Sequence, residues 1–210
     1  MGAVAVDERL SLLYGSHPPP SGDVADLVLR SDVVPGGGSG VLARTALVRT
    51  LGGFTAELRN AEDWELWIRL ALHSPVASVD EPLLAYRVSS ASRSHAVSMR
   101  RAAQRVVDLH AAEYERRGIR FDPNGADRYS ARQAIRSGQR TASLIYGRLA
   151  VRERRPAYLA LAAVALVAPS VLDRAAVRRT RRAVDPAWAA VAEQWLSELP
   201  PEVRASTVPA

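Results

Sequence analysis

The chain has 210 residues, is 48% hydrophobic, contains no cysteine and carries a formal charge of +6, with all 28 of its basic residues arginine. That apolar content suffices for a core in one large or two small domains and excludes a disordered chain. The missing cysteine excludes a disulfide framework, a zinc-thiolate site and a cysteine nucleophile. Arginine without lysine reflects GC-rich coding first, so the pI near 10.4 is weaker evidence for an anionic partner than a clustered basic face would be. Arginine is nonetheless the side chain best shaped for phosphate.

The first residues, MGAVAVDERLSLLYG, place Asp7, Glu8 and Arg9 where a signal peptide would need an apolar core, so no export is expected and the chain reads as cytoplasmic. From Met1 to about Ser94 short β-type runs (Ala3 to Val6, Ser39 to Leu42, Val76 to Val79, Leu83 to Val88) alternate with helical runs, punctuated by HPPPSGD and VPGGGSG. This is an α/β texture. From about Ala96 helical periodicity continues, with brakes at GIRFDPNG, RRP, APS, VDP and LPPE. The expected division is therefore 1–94, a helical region 95–200 and a frayed tail 201–210. The longest apolar run, Ala157 to Leu172, contains Pro169 and falls short of the ~20 residues of a membrane-spanning helix, which leaves a buried or membrane-surface helix.

The stretch GGFTAELRNAEDWELWIRLA, Gly52 to Ala71, concentrates the chemistry. A helix is expected from Asn60 or Ala61, with Glu62 and Asp63 in a first turn that favours carboxylates through its unpaired N–H groups and dipole. Behind them Trp64, Trp67, Ile68 and Ala71 recur at helical spacing, and Leu66 and Leu70 widen the apolar face until little of the helix can meet water. Two readings follow. Asp63 completes a capping box with Asn60, or it is a general base whose position and pKa are set by the buried helix beneath it. Of Trp64 and Trp67, Trp64 is the one expected to face a cleft.

The run GGFTAELRNAEDWELWIRLALHSPVASVDEPLLAYRVS resembles the acceptor-side segment of the family 2 glycosyltransferases, inverting enzymes of the GT-A fold. A Gly-Gly-Phe turn, a Glu-Asp pair heading an aromatic helix and a later Tyr-Arg strand follow one another, and a weaker likeness extends upstream to Gly2. The resemblance implies an α/β, partial GT-A-like (Rossmann-like) domain followed by a mainly helical C-terminal region. It implies Asp63 as the base that deprotonates the acceptor hydroxyl, with Glu62 and Trp64 shaping the acceptor pocket. It further implies a nucleotide-sugar donor, a carbohydrate or lipid-linked acceptor, and a divalent metal held by an Asp-x-Asp motif on a preceding donor half. The 210 residues contain no Asp-x-Asp, so no ligands for that metal are recognised and the chain is expected to be incomplete as an enzyme. Where many members have a histidine after the Tyr-Arg pair this sequence has Ser89, with His95 further on.

Arg87 could meet the diphosphate bidentately or form an ion pair with Glu81 or Asp80, and Arg44 poses the same choice. The run PGGGSG lacks the Lys-Ser/Thr ending of a P-loop and is expected to be a flexible wall beside the acceptor cleft. His17, His73, His95 and His110 have no metal-ligand spacing. The rival reading is a non-catalytic binding or scaffold module. VRERRP and DRAAVRRTRRAV cluster Arg152, Arg154, Arg155, Arg174, Arg178, Arg179, Arg181 and Arg182, which suits an anionic membrane surface. No aromatics are interleaved with them, which disfavours nucleic acid.

Overall fold

The computed structural model describes residues 1–7, 9–88, 96–136, 140–182 and 184–200. The chain is a mixed α/β protein whose one sheet among the described residues has three strands. The wholly apolar run GAVAV forms β1 (Gly2–Val6), buried throughout and therefore central. It pairs antiparallel with β2 (Leu12–Ser16) and parallel with β3 (Pro82–Arg87), giving the order β2-β1-β3.

Two expected strands are absent and one strand was not expected. Ser39 to Leu42 does not extend, because the preceding glycines turn the chain with positive φ at Gly36 and Gly37 and a short 3₁₀ turn occupies Gly37–Gly40. Val76 makes only an isolated antiparallel bridge to Gly22. β2 has one buried residue, Leu12, so its apolar signal is faint. Its hairpin is instead set by Asp7, whose Oδ1 accepts the Arg9 and Ser11 N–H groups at 2.9 and 2.7 Å.

The helices are α1 (Ala25–Arg30), α2 (Thr45–Thr50), α3 (Glu62–His73), α4 (Ala96–Leu109), α5 (Ala111–Arg116), α6 (Pro123–Arg136), α7 (Thr141–Glu153), α8 (Ala157–Val167), α9 (Pro169–Arg182) and α10 (Pro186–Ser197). The breaks after α5, α7, α8, α9 and α10 fall at the five expected brakes. At VDP the reason is visible, since Asp185 Oδ1 accepts the Ala187 and Trp188 N–H groups and Pro186 fills the first helical position.

Three apolar clusters hold these elements. The first joins α1 and α3 to α4 and α5 through Val28, Leu29, Trp64, Ile68, Val106 and Tyr114. The second lies among α6, α7 and α8. The third packs Val4, Val6 and Leu12 against Trp188, Ala192 and Leu196 of α10. Packing crosses the expected division at 94–95. α4 and α5 complete the core under α3, with the Tyr114 hydroxyl donating to the Leu29 carbonyl, and α10 returns to the sheet. Residues 201–210 lie outside the described residues.

Candidate functional site

α3 begins at Glu62, and the N-cap position falls to Ala61, which has no capping group and adopts left-handed backbone at φ 62°. The Asn60–Asp63 capping box is therefore not the cap of this helix. Asp63 serves the exposed helix end itself: its Oδ1 accepts the Trp64 N–H at 2.8 Å. Its other oxygen faces the glycine-rich loop so closely that a Cβ on Gly37 would lie 3.0 Å from Oδ2. Gly37 at φ 58° is thus what lets backbone approach the carboxylate. Glu62, also half-buried, precedes it in the same turn.

A second carboxyl belongs to this place. Asp32, just before the glycine loop, accepts the Val34 N–H at 3.1 Å. Its side chain is open to solvent, yet desolvation by the surrounding protein pushes its pKa up to about 6, partly opposed by the Val34 bond and reinforced by the charge of Asp63. The charge of Asp63 is felt at Asp32, and Gly37 lies against Asp63 Oδ2, so the three stand near one another. A separate hollow lined by Arg9, Leu12, Glu193 and Leu196 lies beside α10 and contains none of them.

Asp32 supplies a pH test. Its folded pKa lies above the ordinary carboxyl value of 3.8, so between about pH 4 and 6 the folded state binds the extra proton and stability falls as pH rises. Asp32→Asn keeps an oxygen for the Val34 N–H and removes the charge. It is expected to raise stability at pH 7 and leave it unchanged near pH 3.5, read from urea midpoints. Equal effects at both pH values would remove the desolvated carboxyl.

Other expected site residues are placed differently. Trp64 faces the core: it is 5% exposed, donates its indole N–H to the Val28 carbonyl at 2.7 Å and packs near Phe121. Because the helix starts at Glu62, the stripe 64, 67, 68 and 71 faces inward as one, and Trp67 is buried with it. Arg87 ends β3 opposite Val6. Strand alternation puts it with Ala85 and Val6 on the face covered by α10, whereas the glycine loop lies against Ala3 and Leu84 on the other face. The structure does not bring Arg87 to Asp63. Nor does it pair Arg87 with Asp80 or Glu81, which precede the opposite end of the strand, about 20 Å away at ~3.3 Å per residue. Asp80 Oδ1 instead lies 2.7 Å from His17 Nδ1 and accepts from it in the tautomer that carries the proton there. Arg44 stands exposed immediately before α2. Ser89 and His95 lie outside the described residues.

Among the described residues no group of three or more His, Cys, Asp or Glu side chains is placed to hold a metal. The resemblance places the ligands of the divalent metal on a donor half, and no part in holding it is assigned to Asp32 or Asp63.

The most elaborate polar cluster went unread in the sequence. Glu65, buried on the apolar helix, accepts from Arg69 at 2.8 and 2.6 Å and from Thr55 Oγ1 at 2.7 Å, and lies 3.1 Å from His110 Nε2. Arg69 also donates to the carbonyls of Leu51 and Gly53, the latter at 2.7 Å. Burial acts to raise the Glu65 pKa, but the Arg69, Thr55 and His110 interactions outweigh it and hold the carboxyl below its ordinary value. The readable signal was the i,i+4 spacing of Glu65 and Arg69. The cluster is closed on itself and ties the Gly52–Gly53 turn to α3.

Comparison with known proteins adds no relative: no family model, curated protein or solved structure matches the chain.

Proposed function

We propose that the place where Asp63 meets the glycine loop is the acceptor end of an inverting, nucleotide-sugar-dependent glycosyltransferase of GT-A type, with Asp63 as the base. The observation that carries this reading is the division of labour in the Asp63 carboxylate. One oxygen is fixed by the helix N–H at Trp64, and the other is presented toward Gly37. A base needs this combination of a held position and a free lone pair. The ordered Gly-Gly-Phe, Glu-Asp and Tyr-Arg set supports it independently.

In the proposed step the acceptor hydroxyl gives its proton to Asp63 Oδ2 while its oxygen bonds to the anomeric carbon. The bond from that carbon to the diphosphate breaks, and the diphosphate leaves with the electron pair on the opposite face. Asp32, whose pKa feels the charge of Asp63, is placed to accept from a second hydroxyl of the acceptor. Glu62 stands beside Asp63 to receive another acceptor hydroxyl. The chain contains no Asp-x-Asp, so handling of the diphosphate is not assigned to these residues.

The test is an amide NMR titration with a panel of soluble mono- and oligosaccharides. Shifts are expected at Gly37, Glu62 and Asp63, and Asp63→Asn, which replaces a charge-assisted hydrogen bond with a neutral one, is expected to weaken binding about tenfold, ~1.4 kcal/mol. Nucleotide diphosphate sugars with magnesium or manganese are expected to leave the spectrum unchanged. Saccharide binding that bypasses these amides, or is indifferent to Asp63→Asn, overturns the assignment. Micromolar, metal-dependent donor binding would place a complete donor site within these residues.

A further inference from the structure

The helix α8, AYLALAAVALV, has no charged residue, and of its eleven positions only Ala165 is fully buried. One side, with Tyr158, Leu161, Ala162 and Ala165, packs into the second core. The other side is aliphatic and faces outward, with Leu159 57%, Leu166 54% and Val167 79% exposed. Isolated exposed leucines are ordinary, but a whole helical face of them is not. On α9, which follows after a bend of 117°, Val171, Arg174 and Arg178 are exposed at helical spacing.

Charge is concentrated at the same place. The segment 154–182 holds seven arginines and one aspartate, a net +6 that equals the formal charge of the whole chain, so the remaining residues sum to zero. The arginines flank the apolar helix: Arg154 and Arg155 stand exposed before it, and Arg174, Arg178 and Arg179 stand exposed after it. The concern that arginine merely reflects coding bias does not account for this uneven placement.

We infer that the outer face of α8, with the arginines at its two ends, is a docking surface for an anionic lipid bilayer, on which α8 lies in the interfacial plane. An aliphatic face bordered by cations matches the boundary between acyl chains and anionic headgroups. A second copy of the chain is disfavoured, because it would bring two +6 segments together. Nucleic acid offers no acyl layer for Leu159, Leu166 and Val167. Spanning is not what the geometry supports. α8 is about 16 Å long at 1.5 Å per residue, roughly half of the hydrocarbon core. No single helix among the described residues is long and apolar enough to cross a membrane, and the pair formed by α8 with the start of α9 is bent by 117°. This inference stands apart from the reading of Asp63.

The absence of cysteine makes site-specific labelling direct. Val167→Cys on α8 and Glu57→Cys, an exposed position outside the arginine-flanked segment, would each carry an environment-sensitive fluorophore in the full chain. Vesicles of phosphatidylcholine with 30% phosphatidylserine are compared with pure phosphatidylcholine at low salt, where screening is weakest. The expected result is co-sedimentation with the anionic vesicles, a blue shift at position 167 and none at 57, and release at high salt. Arg174→Glu with Arg178→Glu, and separately Leu159→Asp with Val167→Asp, should each lower partitioning at least tenfold with helicity unchanged by circular dichroism. All four positions are exposed, so these variants spare the core. Failure to sediment, sedimentation without a shift at 167, or partitioning indifferent to both variants overturns the inference. Dimerisation without lipid that Val167→Asp abolishes would also overturn it, in favour of a second copy.

Discussion

Replacing Arg69 with alanine is expected to destabilise the fold by about 3–5 kcal/mol, the loss found when one partner of a buried ion pair is removed. The loss comes from the groups left behind. Arg69 uses its planar fork twice, on both oxygens of Glu65 and on the carbonyls of Leu51 and Gly53. Alanine would strand two carbonyls and leave a carboxylate, 4% exposed, with Thr55 and His110 alone. The pH dependence gives the effect a signature. Glu65 has a folded pKa below its ordinary value of 4.5, so its contribution is fully present above about pH 4.5 and is lost as pH falls through the folded value. Once Arg69 is gone, burial dominates and the folded pKa rises. The gap between wild type and Arg69→Ala in urea melts should therefore be widest near pH 7 and narrow toward pH 3. A gap independent of pH would mean that packing of the arginine stem, not the ion pair, sets the loss.

The parts of this fold that were legible are those written in one local pattern. β1 and β3 are short apolar runs between breakers, α3 is an apolar stripe behind acidic residues, and the helical region stops where Pro, Gly or an N-capping Asp requires it. What stayed hidden depends on distant partners. β2 is a strand because β1 lies beside it, and Asp7, an unremarkable acid in sequence, turns the hairpin. The division at 94–95 followed a change in texture, whereas cores ignore texture and recruit Val106 and Tyr114 from beyond it.

The site shows the same split. That Glu62 and Asp63 head a buried helix follows from the sequence, and the structure adds that Gly37 and Asp32 meet Asp63 across the chain. Arg87 illustrates the limit from the other side. Its chemistry suits phosphate, but a period of two along β3 decides which face it takes, and only the register with β1 and the position of α10 show that this is the wrong face for Asp63. Trp64 likewise had two uses open to an indole, and Val28 offers the carbonyl that decides between them.

The second large effect is expected at the other end of the chain, where Trp188→Ala should also cost about 3–5 kcal/mol, within the range for deleting a buried aromatic side chain. Trp188 is the pin between α10 and the sheet. Its ring lies where β1 and β2 carry glycines: a Cβ on Gly2 or Gly15 would come within 2.4 and 2.9 Å of it. It also stacks on His17 at 4.1 Å and donates its indole N–H to the Asp80 carbonyl at 3.2 Å. The His17–Asp80 pair is itself exposed and adds little, so the ring burial carries the expected loss. Trp188→Phe, which keeps an aromatic ring but loses the hydrogen bond, should recover most of it. Gly15→Val supplies the complementary test from the sheet side, since its Cβ would collide with a tryptophan left in place. Because Gly36 rests against Leu84 of β3, loosening the sheet should reach the glycine loop, and amide exchange at Gly37 is expected to accelerate together with that of β1. A loss below about 1 kcal/mol for Trp188→Ala, with exchange at Val4 unchanged, would show that α10 is an appendage to the sheet rather than part of what holds it.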